Sequence, residues 1–320
     1  MRRLVTIVLI LLLVLVLRQI DFHSILESLN QIPFSALAVL LVLQIGTQLL
    51  LNYQWCRIGR IMGEQHSFWK MLYVNARGAV VESLTPGVKV GGEVTRAVLL
   101  SREMGYSGQK AAALVTIQKA VSLASFFLVN LFAFAHLSSQ LHGLWGAAVK
   151  AVVYAFLIVF ISFVVALFTV ADRLRIRVLR SDPQRKWTRV LRSYFLTVLE
   201  SIKELTSVKG ELYKQFGLSL FIWLLFPAKM ILLVRVFTAQ FNPVALAEIT
   251  FISYMVGMIP LLPGGLGSFE GTMTSLLMTA QIAPYQALAV TLIFRFVTFW
   301  FVMLVSLAYY LFFRFRSEKG

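Results

Sequence analysis

The chain has 320 residues, of which 59% are hydrophobic, and a mean hydropathy of +0.80, which is well beyond the apolar share of a soluble domain. Its formal net charge of +16 would suggest nucleic acid in a soluble protein, but no basic, aromatic-interleaved module is present, so that reading is excluded. The lone Cys56 excludes an internal disulfide, and His23, His66, His136 and His142 are too scattered for a metal cluster, so neither metal nor cofactor is expected.

The composition implies one polytopic membrane domain over residues 1–320, all-α, with about six full transmembrane helices of roughly 20 residues each and two broken, re-entrant helical hairpins. Arg2 and Arg3 precede the apolar run Leu4 to Leu17, which reads as an uncleaved first span because no small-residue cleavage site follows it. Asp21 to Pro33 carries Phe22, Ile25, Leu26 and Leu29 at helical spacing and should lie along the outer interface. Phe34 to Trp55 is a second span, leading to a loop with Arg57, Arg60 and Lys70.

Met71 to Arg102 contains Asn75, Arg77, Glu82, Lys89, Glu93 and Arg96, too many polar groups for a lipid-exposed helix. A re-entrant hairpin with two short helices meeting at Pro86-Gly87 fits better. Ala111 to Leu137 and Ala147 to Ala171 are further spans, followed by a loop running from Arg173 to Arg192. From Tyr194 to Gln215 the alternation of Phe195, Val198, Leu199, Ile202 and Leu205 with charged residues predicts an amphipathic surface helix. The basic loop and this helix together occupy 172–215. Phe216 to Phe237 is a fifth span, Pro243 to Gln281 a second hairpin, and Tyr285 to Phe313 the last span.

The second hairpin holds the most informative stretch, Pro263-Gly264-Gly265-Leu266-Gly267-Ser268-Phe269-Glu270. Proline removes a backbone donor and glycine frees φ, so a helix breaks here, and broken backbone at membrane depth is tolerated only inside protein or beside a water-filled cavity. The same spacing, Pro-Gly then Glu, occurs in Pro86-Gly87-Val88-Lys89-Val90-Gly91-Gly92-Glu93. Val115-Thr116-Ile117 before Lys119 also echoes Val290-Thr291-Leu292 before Arg295, each base falling about 25 positions after its hairpin Glu.

Basic residues outside the spans and hairpins all fall on one side of this topology except Arg18, which places both termini in the cytoplasm. The two hairpins then enter from opposite sides, and residues 34–137 and 216–313 form an inverted repeat, the usual architecture of transporters. Arg96, Lys119, Lys229 and Arg295 are candidates to hold an anionic headgroup; Lys89 is a further intramembrane base, and Glu82 and Glu248 further acids. Arg295 suits a phosphate best, since its planar fork binds bidentately. Glu93 and Glu270 either couple an ion or proton, compensating the cationic site, or cap the second half-helix of each hairpin. For the bases the alternative is buried ion pairing, Glu93 with Arg96 within one turn for example. Lys150 and Arg235 read as snorkelling side chains. The arginine cluster reads as a topology determinant in contact with anionic headgroups at the cytoplasmic face.

Thr85-Pro86-Gly87, Gly91-Gly92-Glu93, Arg96 to Leu100 and Pro260 to Glu270 resemble the flippase-like integral-membrane domain of lysylphosphatidylglycerol synthase/flippase proteins, which also occurs as stand-alone bacterial and archaeal proteins. The resemblance implies a lipid-handling protein of the bacterial cytoplasmic membrane, moving an anionic or glycosylated, polyprenyl-linked lipid between leaflets. The soluble aminoacyl-transferase domain of fused members has no counterpart up to Gly320, so synthesis of the modified lipid is not expected. No G-x-x-x-x-G-K-[ST] motif is present for self-driven pumping. Two other readings stay open: a non-transporting partner of an envelope-lipid biosynthetic enzyme, and an ion-coupled transporter of a small polar solute.

Overall fold

The computed structural model describes residues 22–85, 90–140, 147–180, 186–259 and 263–317. The expected first span, the Pro86-Gly87 break with Lys89, and Pro260 lie outside the described residues. All regular structure among the described residues is helical. Five stretches are long and apolar enough to cross a membrane: Phe34–Ile61, Gly108–Ser139, Lys150–Thr169, Glu211–Val234 and Pro284–Arg314. These candidates, found among the described residues, overlap the five full spans expected besides the first.

A short helix α1 (Phe22–Asn30) leads through Pro33 into α2 (Phe34–Ile61). At 1.5 Å per residue α2 is about 42 Å long, enough to span a bilayer with a tilt. Its outward side carries Val42, Ile45, Leu49 and Tyr53, while Gln44, Thr47, Asn52 and Gln54 are buried. This is the reverse of a soluble helix: hydrocarbon accepts the apolar side chains, and the polar ones gather where protein can bond them. The paired helices α3 (Phe68–Leu84) and α4 (Val90–Met104) follow, then α5 (Gly108–Gln140). The lipid-exposed α6 (Ala147–Thr169) packs on α5 through Phe127 against Phe156 and Phe160.

The stretch expected as a basic loop is largely helical. Helix α7 (Ala171–Leu179) carries Arg173, Arg175 and Arg177, and α8 spans Lys186–Ser207. Val198, Leu199, Ile202 and Leu205, at i, i+1, i+4 and i+7, bury α8 in one apolar cluster with Trp55, Ile58, Leu114 and Ile117. The amphipathic helix therefore begins eight residues earlier than expected and stops short of Gln215. Gly210 adopts φ 76 and ends it, and α9 (Glu211–Val234) starts at once because Glu211 and Gln215 are buried and bonded to α2. Arg57 grips Glu211 with two bonds of 2.9 Å, and Gln54 donates to the Gln215 carbonyl at 3.0 Å.

A second helix pair comprises α10 (Pro243–Gly257) and α11 (Ser268–Thr279). Asn242 caps α10 by accepting from Val244 N at 2.9 Å, and Pro243 occupies the first turn, where its missing donor costs nothing. The last stretch is continuous, with α12 (Pro284–Arg295), a π turn at Phe296–Trp300, and α13 (Phe301–Ser317).

Contacts between elements define two ends. Arg57 with Glu211, Lys110 with Glu64, and Tyr309 with the Trp69 carbonyl mark a basic end, where α7 and α8 also pack. His136 with Glu248, Lys150 with the Ser138 carbonyl, and α1 packed on α12 mark the far end. The α3–α4 pair opens toward the basic end and the α10–α11 pair toward the far end, and α3 contacts the Pro263–Gly265 turn in the middle.

The described part of the break between α10 and α11 includes a 3-10 turn at Pro263–Gly265, with φ of 64° at Gly264, 72° at Gly265 and 82° at Gly267. A Cβ at Gly265 would lie 2.3 Å from the Gly257 carbonyl oxygen, a backbone atom that cannot swing aside. Gly265→Ala is therefore expected to destabilise the protein by about 1–3 kcal/mol through backbone conformation alone, with the clash in addition. Gly271→Ala, whose Cβ meets nothing within 4 Å, should be tolerated. Thermal unfolding of both variants in detergent micelles measures the difference.

Candidate functional site

Where the two helix pairs meet there is a cavity of about 220 Å³. Its wall takes Glu82, Glu93 and Arg96 from the first helix pair, Gly264, Gly265 and Phe269 from the second, Lys119 from α5, Arg295 from α12, and neutral polar residues from α2 and α9. Of the site candidates within the described residues, Glu93, Arg96, Lys119, Gly264, Gly265 and Arg295 line it, and Glu270 pairs with Arg295 beside it.

The charges are arranged in two sets. In the first, Glu93, in the first turn of α4, receives Lys119 Nζ at 3.1 Å and lies 3.3 Å from Arg96. Arg96 also donates through both terminal nitrogens to Glu82 Oε2, each at 3.1 Å, and its guanidinium lies over the Trp55 ring. That side chain passes over Gly78, where a Cβ would sit 2.6 Å from Arg96 Cγ and Nε. A small residue at this point is what lets α3 and α4 approach with an arginine between them.

In the second set, Glu270, in the first turn of α11, lies 2.9 Å from Arg295 Nε and accepts from the Gly267 N–H at 2.6 Å. Arg295 donates to the Gly264 carbonyl and is held between the rings of Phe269 and Phe299, 4.7 and 4.2 Å from its guanidinium carbon. Glu270 thus caps and pairs at once. The two acids each pair with the base that follows them about 25 positions later, Lys119 and Arg295.

Lys229 differs from the other three bases. Its side chain is wholly buried behind the wall, where Nζ donates to Gln44 and, at 3.0 Å, to Thr47 Oγ1, with the Phe226 ring 4.3 Å away. It does not line the cavity. Among the described residues, Glu82, Glu93 and Glu270 therefore balance Arg96, Lys119 and Arg295, so the cavity is not an open cationic site but a charge-compensated one. Glu248 is removed from it and pairs with His136 at the far end.

Sequence reading passed over the neutral polar wall. Gln44, Thr47, Gln48 and Gln54 on α2, Gln118 and Ser122 on α5, and Ser219 on α9 all line the cavity. Their signal was present, since amides recurring on one side of an otherwise apolar span are costly unless they face polar surroundings. No group of three or more His, Cys, Asp or Glu among the described residues could hold a metal.

A helical bundle with five spanning candidates among the described residues and a polar cavity at the meeting of two helix pairs is a multi-pass membrane protein. The family model for the lysylphosphatidylglycerol synthase transmembrane region matches residues 3–306, and the chain belongs to that family. It is 27% identical over 265 residues to a UPF0104 membrane protein of Methanothermobacter thermautotrophicus, covering 77% of this chain and 75% of the relative. A second match to a UPF0104 membrane protein of that organism is 31% identical over 87 residues, 27% of this chain and 26% of the relative.

Arg96 joins two carboxylates with almost no solvent contact. Arg96→Met should cost on the order of 3–5 kcal/mol by removing the buried cation that Glu82 and Glu93 share. Adding Glu82→Gln to that variant should recover more than half of the loss. Unfolding temperatures of the single and double variants in the same micelles test this; equal losses would mean that the pairing contributes nothing.

Proposed function

We propose that the protein is a lipid translocase of the bacterial cytoplasmic membrane, with its basic end and both termini in the cytoplasm. The proposed cargo is a lipid with an anionic headgroup, moved between leaflets while its hydrocarbon chains stay in the bilayer. The observation that carries this reading is the meeting of two oppositely opening helix pairs at one cavity, each bringing a glutamate and its paired base. Residues 34–137 and 216–313 then act as an inverted repeat, and alternating access follows from rocking one half against the other.

In this mechanism the ion pairs serve as the resting state. An anionic headgroup competes with Glu93 for Lys119 and Arg96, and with Glu270 for Arg295, so the cations change partner rather than being left bare in low dielectric. A protonated glutamate would release its base to the headgroup, which offers a route for coupling to a proton gradient. Lys229, behind the wall, contributes field and positions Gln44 rather than touching the headgroup. The family relationship supports a membrane role in lipid handling, and the Arg173 to Arg192 region suits contact with anionic headgroups at the cytoplasmic surface.

Purified protein in liposomes, with labelled anionic lipid followed leaflet by leaflet, tests the proposal. Wild type should accelerate exchange, and Glu270→Gln and Arg295→Ala should each lower the rate by about ten-fold or more. Normal exchange in both variants would remove these residues from the pathway. Uptake of a soluble solute without lipid movement would favour a small-solute transporter instead.

A further inference from the structure

Beside the polar cavity lies a second one of about 150 Å³, a cleft between α2 and α13 floored by α3. The two share Gln44, Gln48, Leu51, Arg96 and Val302 as a common wall. The outer lip of the cleft is formed by Ile45, Leu49 and Val305, which are exposed on helices that cross the membrane. Such side chains contact hydrocarbon, so the cleft opens sideways into the bilayer while its inner wall reaches the charged site.

One group at this junction has no partner. Lys229 Nζ can only donate, so the Gln44 oxygen must face it, which turns the Gln44 amide nitrogen the other way. That nitrogen is buried and makes no hydrogen bond, and Gln44 is 1% exposed. A buried, unpaired donor at the boundary of a polar and an apolar cavity calls for an acceptor there.

Resting on the translocase reading, we propose that the cleft takes one acyl chain of an anionic glycerophospholipid whose headgroup occupies the polar cavity, and that Gln44 Nε2 donates to an ester carbonyl at the joint. A glycerophospholipid places that carbonyl between phosphate and chain. A polyprenyl phosphate has no acceptor at this point, and its first carbon follows the phosphate directly. Lys229 is a positioning residue in this arrangement, holding the Gln44 amide in the donating orientation.

The test uses full-length protein in nanodiscs of phosphatidylcholine with a phosphatidylglycerol probe carrying a diazirine midway along one acyl chain. Photolysis should label α2, α3 and α13 around the cleft, at Leu49, Leu72 and Val305, about ten-fold more than the exposed face of α6 at Val159 and Phe163. Ile45→Trp and Val305→Trp, which fill the mouth from the lipid side and leave the core intact, should reduce that labelling to the α6 level. Phe163→Trp should leave it unchanged. Gln44→Leu should weaken labelling by the ester probe but not by an ether-linked phosphatidylglycerol of the same chain length. Even labelling of the cleft and α6 overturns the proposal, as does cleft labelling that the two tryptophans leave unchanged. An equal effect of Gln44→Leu on ester and ether probes overturns the assignment of the carbonyl. Cleft labelling without leaflet exchange by the same wild-type preparation would refute translocation and leave the chain site standing; exchange insensitive to Val305→Trp, with no cleft labelling, would do the reverse.

Discussion

The constraint that governs this molecule is that peptide groups freed by breaking a helix inside a bilayer must find partners within the protein. At Gly264 to Gly267 the backbone leaves helical geometry at three glycines, and two charged side chains complete what the helix no longer supplies. Arg295 takes the Gly264 carbonyl and Glu270 takes the Gly267 N–H, and the two then neutralise one another. A single ion pair thus satisfies a backbone acceptor, a backbone donor and two buried charges. The aromatic rings on either side of Arg295 keep that arrangement in one geometry. The cavity exists because the turn is held open there rather than collapsing.

The same economy explains why the site could be located from sequence. A proline and glycines followed by an acid have no reason to appear in lipid-facing helix, and the base about 25 residues later is costly there for the same reason. Cost made Glu93, Glu270, Lys119 and Arg295 legible. Partners were harder to foresee. Arg96 lies 3.3 Å from Glu93, the pairing that the sequence offered as an alternative, but it also bonds Glu82 on the facing helix, a contact that depends on Gly78 lacking a side chain. Lys229 read as one more cavity base but lies behind the wall, bonded to Gln44 and Thr47 of another helix, partners that its position in the sequence does not reveal. The neutral amides of α2 went unnoticed since each is inexpensive individually and only their shared side reveals them. The boundary between α8 and α9 was misjudged because Glu211 and Gln215 look like surface residues until Arg57 and Gln54 are seen to receive them.

Electrostatically the cavity resembles a set of exchangeable partners more than a positive hole. Among the described residues three acids and three bases hold one another at rest, each partly or wholly withdrawn from solvent. Under the proposed mechanism an incoming anion would meet cations already positioned and would compete with their carboxylate partners. That would lower the reorganisation each binding event requires, since the cations change partner rather than being left without one.

The π turn at Phe296–Trp300 lies immediately beyond Arg295 and opposite the glycine turn. A turn of this width holds one residue more than its α counterpart, and that surplus can travel along a helix by trading one hydrogen bond for the next. Each such step rotates the intervening residues by about 100°. A one-residue shift of that kind in the last helix would exchange the aromatic face of Phe299 for a different side chain at the cavity without unwinding at either end, a screw motion in place of a hinge.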